Sequence, residues 1–408
     1  MKKSLPEGFV GPRNTSQDGS AIYGGMADLG SIRALDASLN RATEGLRVVE
    51  DYVRFVLDDR HLTEQFKRLR HDLAAAGGQL PLAERHAARD TQADVGTTVS
   101  TPSEGERRDA WQVCVASLER VKQSLRSLEE FSKVARPPAA GEFERLRYWL
   151  YTLEAAVGRT VEANERLGEA RLYVLVDGCA SEEAFTALVN ELIAARVDVI
   201  QLRDKRLSDR ELIARGRLLV SLCRERGSRI QPPAPPGGSG GDGMDDLVRG
   251  YPLAEPGAKG NEAIRLPLTI INDRPDVAAV VDADGVHVGQ EEMLVKDARK
   301  IVGMRRLVGV STHSIEQARA AVLDGANYLG VGPTFPSRTK SFDAFPGLDF
   351  VRQVAAEIRL PAFAIGGIDA SNVGAVVAAG LRRVAVSSAV TGDAKPRAAV
   401  EALREGLR

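Results

Sequence analysis

The sequence predicts an α/β protein: a (β/α)8 TIM barrel preceded by an all-α helical bundle domain. Before Leu172, apolar residues recur at spacings of three and four, which is typical of amphipathic helices. From Leu172 onwards, eight short runs rich in Val, Ile and Leu alternate with helical stretches, and about 240 residues suffice for a closed parallel barrel. A chain of 408 residues also exceeds a typical single core, so two domains are expected.

Composition along the chain predicts four segments. Residues 1–27 are rich in Gly, Pro and Ser and predict a flexible tail. Residues 28–167 form the predicted helical domain, and residues 168–408 form the predicted barrel. Within the barrel, the Pro/Gly-rich residues 230–265 predict a disordered insertion between the second helix and the third strand.

The helical domain is predicted to contain about four long helices. Each carries one apolar stripe, which must be buried against its neighbours. The breaks are expected at Gly77, near Pro102 and at Pro137, because Gly and Pro interrupt helices. The polar segment 79–109 lacks a periodic pattern and predicts a long loop.

A polar pattern on the first helix leaves two interpretations open. Asn40, Glu44, Arg47, Asp51 and Arg54 repeat at spacings of four and three beside the apolar stripe. Opposite charges at these spacings pair on a solvated helix face. The alternative is a polar groove that binds an anion through the arginines. No phosphate-binding glycine motif is present in this part of the sequence.

The barrel is predicted from eight strand-like runs: LYVLVD, VDVIQL, LTIIND, GVHVG, LVGVS, YLGVG, AFAIGG and RVAVSS. An open doubly wound sheet is the alternative architecture. No clean nucleotide-binding fingerprint follows the first run, which favours the closed barrel.

Polar residues follow these runs in six motifs: VIQLRDK, IINDRPD, DGVHVGQEE, VGVSTH, GVGPTFPSRTK and FAIGGI. Active sites of β/α barrels lie at the carboxyl ends of the strands. Arg, Lys, Asn, carboxylates, hydroxyls and paired glycines suit a phosphorylated ligand with a metal ion. They do not suit a Ser-His-Asp hydrolase or a nicotinamide enzyme.

Bulk properties exclude several classes of partner. The net charge of −1 argues against a general nucleic-acid binder. The three cysteines have no metal-like spacing, and no apolar run long enough for a membrane span or a signal peptide is present. We therefore expect a cytoplasmic protein with small-molecule partners and no nucleic-acid or membrane partner. The sequence leaves a homo-oligomer open.

The six motifs, in this order, resemble the thiamine-phosphate synthase family over about residues 170–408. The resemblance implies a transferase that condenses hydroxymethylpyrimidine diphosphate with hydroxyethylthiazole phosphate, giving thiamine phosphate and pyrophosphate by a dissociative, Mg²⁺-assisted mechanism. The helical part, which begins RALDASLNRATEGLRVVEDYVRF, resembles an extra domain of some family members. That domain has been connected with phosphorylation of the pyrimidine precursor.

The resemblance implies a site for the pyrimidine diphosphate. Gln201 would contact the pyrimidine ring, and Lys340 would stabilise the departing pyrophosphate. The remaining diphosphate contacts would come from Arg203, Lys205, Asn272 and Ser311. The groups implied to be catalytic are Arg203, Lys205, Ser311 and Lys340.

The resemblance also implies a second phosphate site and a metal site. The thiazole phosphate would be bound by Ser337, Thr339, Gly367, Ser387 and Ser388. Asp273 and Glu292 would hold Mg²⁺. Glu292 stands where the family has Asp, and its side chain is one methylene longer.

One residue and two other functions need a separate interpretation. His287 lies between two valines on a predicted strand and is expected to be a packed, hydrogen-bonded core residue. An isomerase acting on a thiazole carboxylate phosphate would keep the phosphate site but needs no diphosphate site. A regulator that senses a thiamine intermediate would need no catalytic groups. Joint retention of the diphosphate, metal and leaving-group residues favours the synthase.

Overall fold

The computed structural model describes residues 29–90, 107–228, 266–336 and 346–408. The predicted tail at 1–27 and the predicted insertion at 230–265 lie outside the described residues. Within the described part, a helical region precedes a closed parallel β/α barrel. This confirms the predicted fold class.

The helical region contains the four long helices that the apolar stripes predict, with one short helix between them. Its elements are α1 (Leu29–Asp51), α2 (Arg60–Gly77), α3 (Leu82–Ala88), α4 (Ala110–Ala135) and α5 (Pro137–Leu167). A π-helical turn, Tyr52–Val56, extends α1. The predicted breaks at Gly77 and Pro137 are confirmed, whereas Pro102 lies outside the described residues.

Helix α3 corrects the prediction that 79–109 is wholly a loop. Its polar sequence has no apolar stripe, but two arginines reach one buried carboxylate. Asp36 on α1 is 4% exposed and accepts hydrogen bonds from Arg85 at 3.1 Å and Arg89 at 2.8 Å. Charge pairing over about 50 positions in sequence therefore supports this helix, and local periodicity does not reveal it.

The polar pattern on α1 is solvent-facing in the described structure. Asn40, Glu44, Arg47, Asp51 and Arg54 are all exposed. Exposure of the whole set agrees with the solvated-face interpretation.

The chain divides into two compact units. One comprises the described parts of Met1–Arg47 and Arg70–Tyr148, and the other comprises those of Val48–Leu69 and Trp149–Arg408. The barrel unit therefore also contains helical residues that precede the barrel in sequence. The predicted domain boundary after residue 167 stays a prediction.

Two side chains from the part of the chain before the barrel strands bind the backbone of Arg359 within the barrel unit. Asp59 is 1% exposed, and its carboxylate accepts from the backbone N–H of Leu62 at 2.7 Å and of Arg359 at 2.8 Å. Asn164 on α5 donates to the carbonyl of Arg359 at 3.0 Å. Burial raises the pKa of Asp59 despite these hydrogen bonds.

All eight predicted strands are confirmed, and they pair in sequence order into a closed barrel rather than an open sheet. The strands are β1 (Leu172–Val176), β2 (Val199–Leu202), β3 (Leu268–Asn272), β4 (Gly285–Val288), β5 (Leu307–Thr312), β6 (Tyr328–Val331), β7 (Ala362–Ile365) and β8 (Val384–Val386). The outer helices are α6 (Glu182–Ala194), α7 (Asp209–Ser228), α8 (Pro275–Val280), α9 (Val295–Val302), α10 (Ile315–Leu323), α11 (Gly347–Glu357), α12 (Val373–Ala378), α13 (Ser388–Thr391) and α14 (Pro396–Gly406).

The strand register places apolar side chains at the bottom of the barrel and polar ones above them. The apolar cluster consists of Leu167, Ala170, Tyr173, Val199, Ile270, Leu307, Tyr328, Phe363 and Ala385. Side chains two positions apart in a strand point the same way. Gln201 therefore follows Val199 into the barrel, and Ser311 follows Leu307 and Gly309.

Two features that the sequence analysis considered can be examined in the described residues. Cys114, Cys179 and Cys223 form no disulfide bond there. Among the described residues, no helix combines the length and the apolar character needed to cross a bilayer.

Leu167 generates a stability prediction, because the last residue of α5 packs into the barrel cluster and is only 1% exposed. Leu167→Ala should lower the free energy of unfolding by about 2–5 kcal/mol, measured by urea denaturation. The matched control is Leu294→Ala, since Leu294 is 67% exposed and should change stability little. Equal effects of the two substitutions would contradict the proposed packing role of Leu167.

Candidate active site

A cavity of about 640 Å³ opens at the carboxyl ends of the barrel strands. Its lining includes seven of the predicted site residues: Gln201, Arg203, Asn272, Ser311, Gly367, Ser387 and Ser388. The barrel register therefore brings together residues that are widely separated in sequence.

The loop after β2 is held by a buried carboxylate between the two predicted cations. The side chain of Asp204 is 2% exposed and accepts from the backbone N–H of Gly178 at 3.1 Å and of Arg206 at 2.8 Å. The Arg206 guanidinium also donates to it at 2.8 Å and holds the pKa of this carboxyl well below its ordinary value. The neighbouring Arg203 donates its backbone N–H to Val176 at 2.8 Å, which anchors the loop to β1.

The two predicted metal ligands share one ammonium group. Lys205 Nζ lies 3.2 Å from Asp273 Oδ2 and 3.5 Å from Glu292 Oε1. Its pKa is raised, chiefly by the hydrogen bond to Asp273. Asp273 adopts φ 58° and donates its backbone N–H to the carbonyl of His287 at 2.7 Å, which fixes it beside β4.

The Glu292 side chain approaches Lys205 and Asp273 by passing over Gly289. Its carboxylate occupies the space that a Cβ atom at Gly289 would fill. A side chain at position 289 would displace it. The extra methylene of Glu292 is therefore compatible with a carboxylate close to Lys205.

The donor set at this position fits Mg²⁺. The described residues contain no cluster of three or more His, Cys, Asp and Glu side chains that could hold a metal alone. Mg²⁺ is usually bound through one or two carboxylates together with substrate phosphates. Asp273 and Glu292 would supply the protein part of such a set.

The loops that follow β7 and β8 form the wall of the cavity opposite the loop that follows β2. Gly366 and Gly367 adopt φ 101° and 62°, which favour glycine, and a Cβ at Gly367 would lie 2.6 Å from the carbonyl oxygen of Pro336. Asn372 donates to the carbonyl of Gly367 at 2.8 Å and fixes the loop. Ser387 and Ser388 are exposed to the cavity at the end of β8.

The floor of the cavity carries polar groups to which the sequence analysis gave no role in ligand binding. Tyr173 and Tyr328 are buried, and their hydroxyl oxygens lie 3.1 Å apart. His287, expected to be a packed core histidine, contacts the Ser311 hydroxyl at 2.9 Å and the Tyr328 hydroxyl at 3.3 Å. Burial lowers the pKa of His287 to about 4. The sequence signal that could have revealed these groups is the presence of polar residues at strand positions that point into the barrel.

Three predicted site residues, Ser337, Thr339 and Lys340, lie outside the described residues. Their roles stay predictions.

Comparison with known proteins decides the family. The family described as thiamine monophosphate synthase matches residues 172–230 and 263–390. Thiamine-phosphate synthase from Rhodopirellula baltica is 42% identical over 88% of this chain and 88% of its own length. The chain belongs to the thiamine-phosphate synthase family. The resemblance seen in the six motifs is thereby confirmed, as is the predicted class of enzyme, a transferase.

Further matches cover the helical region and the barrel. Residues 33–156 match the ThiD2 family. Thiamine-phosphate synthase from Nostoc punctiforme is 36% identical over 87% of this chain and 88% of its own length. A solved thiamine phosphate pyrophosphorylase from Pyrococcus furiosus is 30% identical, with a TM-score of 0.45, and covers 58% of this chain and 95% of that chain.

Asp204 generates a prediction with a defined pH dependence. Asp204→Asn should lower the free energy of unfolding at pH 7 by about 1–2 kcal/mol, because the carboxylate accepts several hydrogen bonds. The folded-state pKa is depressed, so this stabilisation is present above the unfolded pKa of about 4 and is lost as the pH falls through the folded value. The difference between wild type and variant should therefore narrow below pH 4 in urea denaturation.

The control for this prediction is Asp349→Asn. Asp349 is 85% exposed and pairs with Arg352 on the surface of α11. Its replacement should leave the free energy of unfolding nearly unchanged at each pH. A wild-type to Asp204→Asn difference that stays constant from pH 7 to pH 3 would contradict the electrostatic role of Asp204.

Proposed function

We propose that this chain condenses hydroxymethylpyrimidine diphosphate with hydroxyethylthiazole phosphate, releasing pyrophosphate and forming thiamine phosphate, in a dissociative reaction assisted by Mg²⁺. A cytoplasmic location is part of the proposal. The observation that carries it is the position of Lys205, between Asp273 and Glu292 and on the same loop as Arg203. Cations beside paired carboxylates suit a metal-bound diphosphate.

The two walls of the cavity suit two different anions. On one side, Arg203, Asn272 and Ser311 line the cavity and offer charged and neutral donors for the diphosphate, and Lys205 follows on the same loop as Arg203. On the other, Gly367 with Ser387 and Ser388 offers backbone and hydroxyl donors for the thiazole phosphate, at the loops where barrels commonly bind phosphate. The cavity of about 640 Å³ falls within the usual size range of ligand sites.

The proposed reaction needs charge stabilisation rather than a base. The bond between the exocyclic carbon of the pyrimidine and the diphosphate oxygen breaks, and its electron pair leaves with pyrophosphate. The thiazole nitrogen then donates its lone pair to that carbon. This nitrogen carries no proton, so none must be removed. Arg203 and Lys205 would stabilise the leaving group, and the phosphate wall would hold the thiazole in line.

The metal has a limited part in this scheme. Asp273 and Glu292 would hold Mg²⁺ together with diphosphate oxygens. Bound Mg²⁺ would neutralise negative charge on the leaving group. Lys205 would then be released from the carboxylates to bind the diphosphate.

The decisive assay mixes the purified protein with both substrates and Mg²⁺ and measures thiamine phosphate by chromatography. Product formation supports the proposal. If no product forms with either substrate in excess, the proposal is wrong. The rival isomerase would instead convert a thiazole carboxylate phosphate without any pyrimidine diphosphate.

Asp273 is expected to make activity depend on the metal. EDTA should abolish thiamine phosphate formation, and excess Mg²⁺ should restore it. Asp273→Asn should lower turnover roughly 100-fold while the melting temperature changes little. The control Asp276→Asn removes a carboxylate that pairs with Arg274 at 2.7 Å, and turnover should be retained. Full activity of Asp273→Asn in EDTA would rule out this metal assignment.

Arg203 and Lys340 are expected to differ kinetically. Arg203 can bind two diphosphate oxygens in ground and transition states, so Arg203→Ala should raise KM for the pyrimidine diphosphate as well as lower kcat. Lys340 is predicted to act on the departing pyrophosphate, so Lys340→Ala should mainly lower kcat. Each loss should cost about 2–4 kcal/mol at the barrier in steady-state kinetics.

The matched control for both variants is Arg352→Ala, because Arg352 is 57% exposed on α11 and pairs only with a surface carboxylate among the described residues. It should leave both constants unchanged. If Lys340→Ala changes only KM for the thiazole phosphate, Lys340 belongs to the phosphate site instead.

A further inference from the structure

Five side chains on the cavity floor form a continuous hydrogen-bond relay across the barrel: Ser311, His287, Tyr328, Tyr173 and Gln201. The successive distances are 2.9 Å, 3.3 Å, 3.1 Å and 2.8 Å. The relay begins at a hydroxyl in the diphosphate region and ends at an amide in the predicted ring region. Both ends line the cavity.

The inner side chains of the relay are almost inaccessible to solvent and are closely packed. Tyr173 and Tyr328 are 3% and 1% exposed. The Tyr328 ring occupies the space that a Cβ at Gly309 would fill, and the imidazole of His287 lies 3.3 Å from the Cβ position at Gly330. Side chains at these two glycines would push the rings apart. The two tyrosine hydroxyls and both imidazole nitrogens therefore find their partners within the relay.

The direction of hydrogen bonding in the relay is set from one end. An anion at Ser311 can only accept, so the Ser311 hydroxyl must donate to it and must accept from His287 Nε2–H. A neutral imidazole then accepts at Nδ1 from the Tyr328 hydroxyl. Tyr328 in turn accepts from Tyr173, and Tyr173 accepts from the amide N–H of Gln201.

The consequence appears at the far end of the relay. With its Nε2 committed to Tyr173 at 2.8 Å, Gln201 keeps Oε1 as a free acceptor beside the cavity that this residue lines. This oxygen is buried and has no partner among the described residues. It can accept a hydrogen bond from a ring amino group and would face a ring carbonyl oxygen unfavourably. Reversing the amide would require every hydrogen bond in the relay to reverse.

Resting on the proposed function, we infer that Tyr328, Tyr173 and His287 are positioning residues that make diphosphate binding at Ser311 select an aminopyrimidine over an oxopyrimidine at Gln201. The three residues need not touch the substrate to do this. They hold the two contacting groups in one hydrogen-bonding direction. The imidazole is buried between two neutral hydroxyl groups, and this setting favours the neutral form that the relay requires.

The test compares two substrates in three variants. One substrate is the aminopyrimidine diphosphate, and the other carries a carbonyl oxygen in place of the amino group. Wild type should favour the amino substrate by roughly 10–100-fold in kcat/KM, since a buried polar mismatch costs that much. Tyr328→Phe removes the central hydroxyl of the relay and keeps the ring. The side-chain amide of Gln201 can then rotate and exchange the positions of its oxygen and nitrogen. The preference should then fall below about 3-fold.

Two further variants separate positioning from general damage. Tyr173→Phe interrupts the relay at a second point and should lower the preference in the same way, even if Tyr328→Phe folds poorly. Thr312→Val is the matched control, because it removes a buried hydroxyl next to Ser311 that donates outside the relay to Gly330 at 2.9 Å. Its preference should equal that of wild type.

A measurement without turnover tests the direction itself. The chain contains five histidines, so ¹⁵N-histidine NMR is feasible, and His287→Asn assigns the signal. With inorganic pyrophosphate bound, His287 should carry its proton on Nε2 and none on Nδ1. The opposite tautomer would overturn the inference.

The kinetic outcomes distinguish the two proposals. Absence of thiamine phosphate with wild type and the amino substrate overturns the proposed function and this inference with it. Product formation with an undiminished preference in both Phe variants overturns the inference alone. Loss of preference in the Phe variants, with retention in Thr312→Val, supports it.

Discussion

Closure of the barrel is the constraint on which the site depends. Eight parallel strands paired in sequence order must end at the same rim, and side chains two apart must share the interior. Gln201 and Ser311 therefore lie above the apolar cluster, and the loop residues Arg203, Asp273 and Glu292 lie above them. No single motif builds this arrangement. It follows from pairing each strand with its neighbour in register.

The same constraint explains how much could be predicted from the sequence. The strands and the rim groups were predictable because short apolar runs, and the polar residues that directly follow them, are local features of the sequence. The relay was not, because Tyr173 and Tyr328 are 155 positions apart and meet only through closure. His287 was recognised as a buried strand residue, but its partners on two other strands depend on side-chain packing across the interior.

Helix α3 was missed for a related reason. Its stabilising contacts are ion pairs to Asp36, more than 45 positions away in sequence, rather than an apolar stripe of its own. Periodicity detects helices that bury one face by the hydrophobic effect. A short polar helix whose arginines pair with a buried carboxylate has no periodic apolar residues. Its composition alone therefore favours a loop. In both units, the sequence analysis missed polar contacts between residues that are far apart in the chain.

Desolvation separates the floor of the site from its rim. The buried relay contains only groups that are neutral at physiological pH, since burying an unpaired charge is costly. The ionised groups that are proposed to bind the metal and the diphosphate stand where water or a ligand reaches them: the side chains of Lys205, Asp273 and Glu292 are 60%, 20% and 32% exposed. Full charges at the rim can then exchange partners when an anion binds. Neutral dipoles on the floor cannot exchange partners individually, because each is tied to the next. The charged rim would therefore supply binding strength, and the neutral relay would set the direction of hydrogen bonding. An anion bound at Ser311 would then fix which group Gln201 can bind.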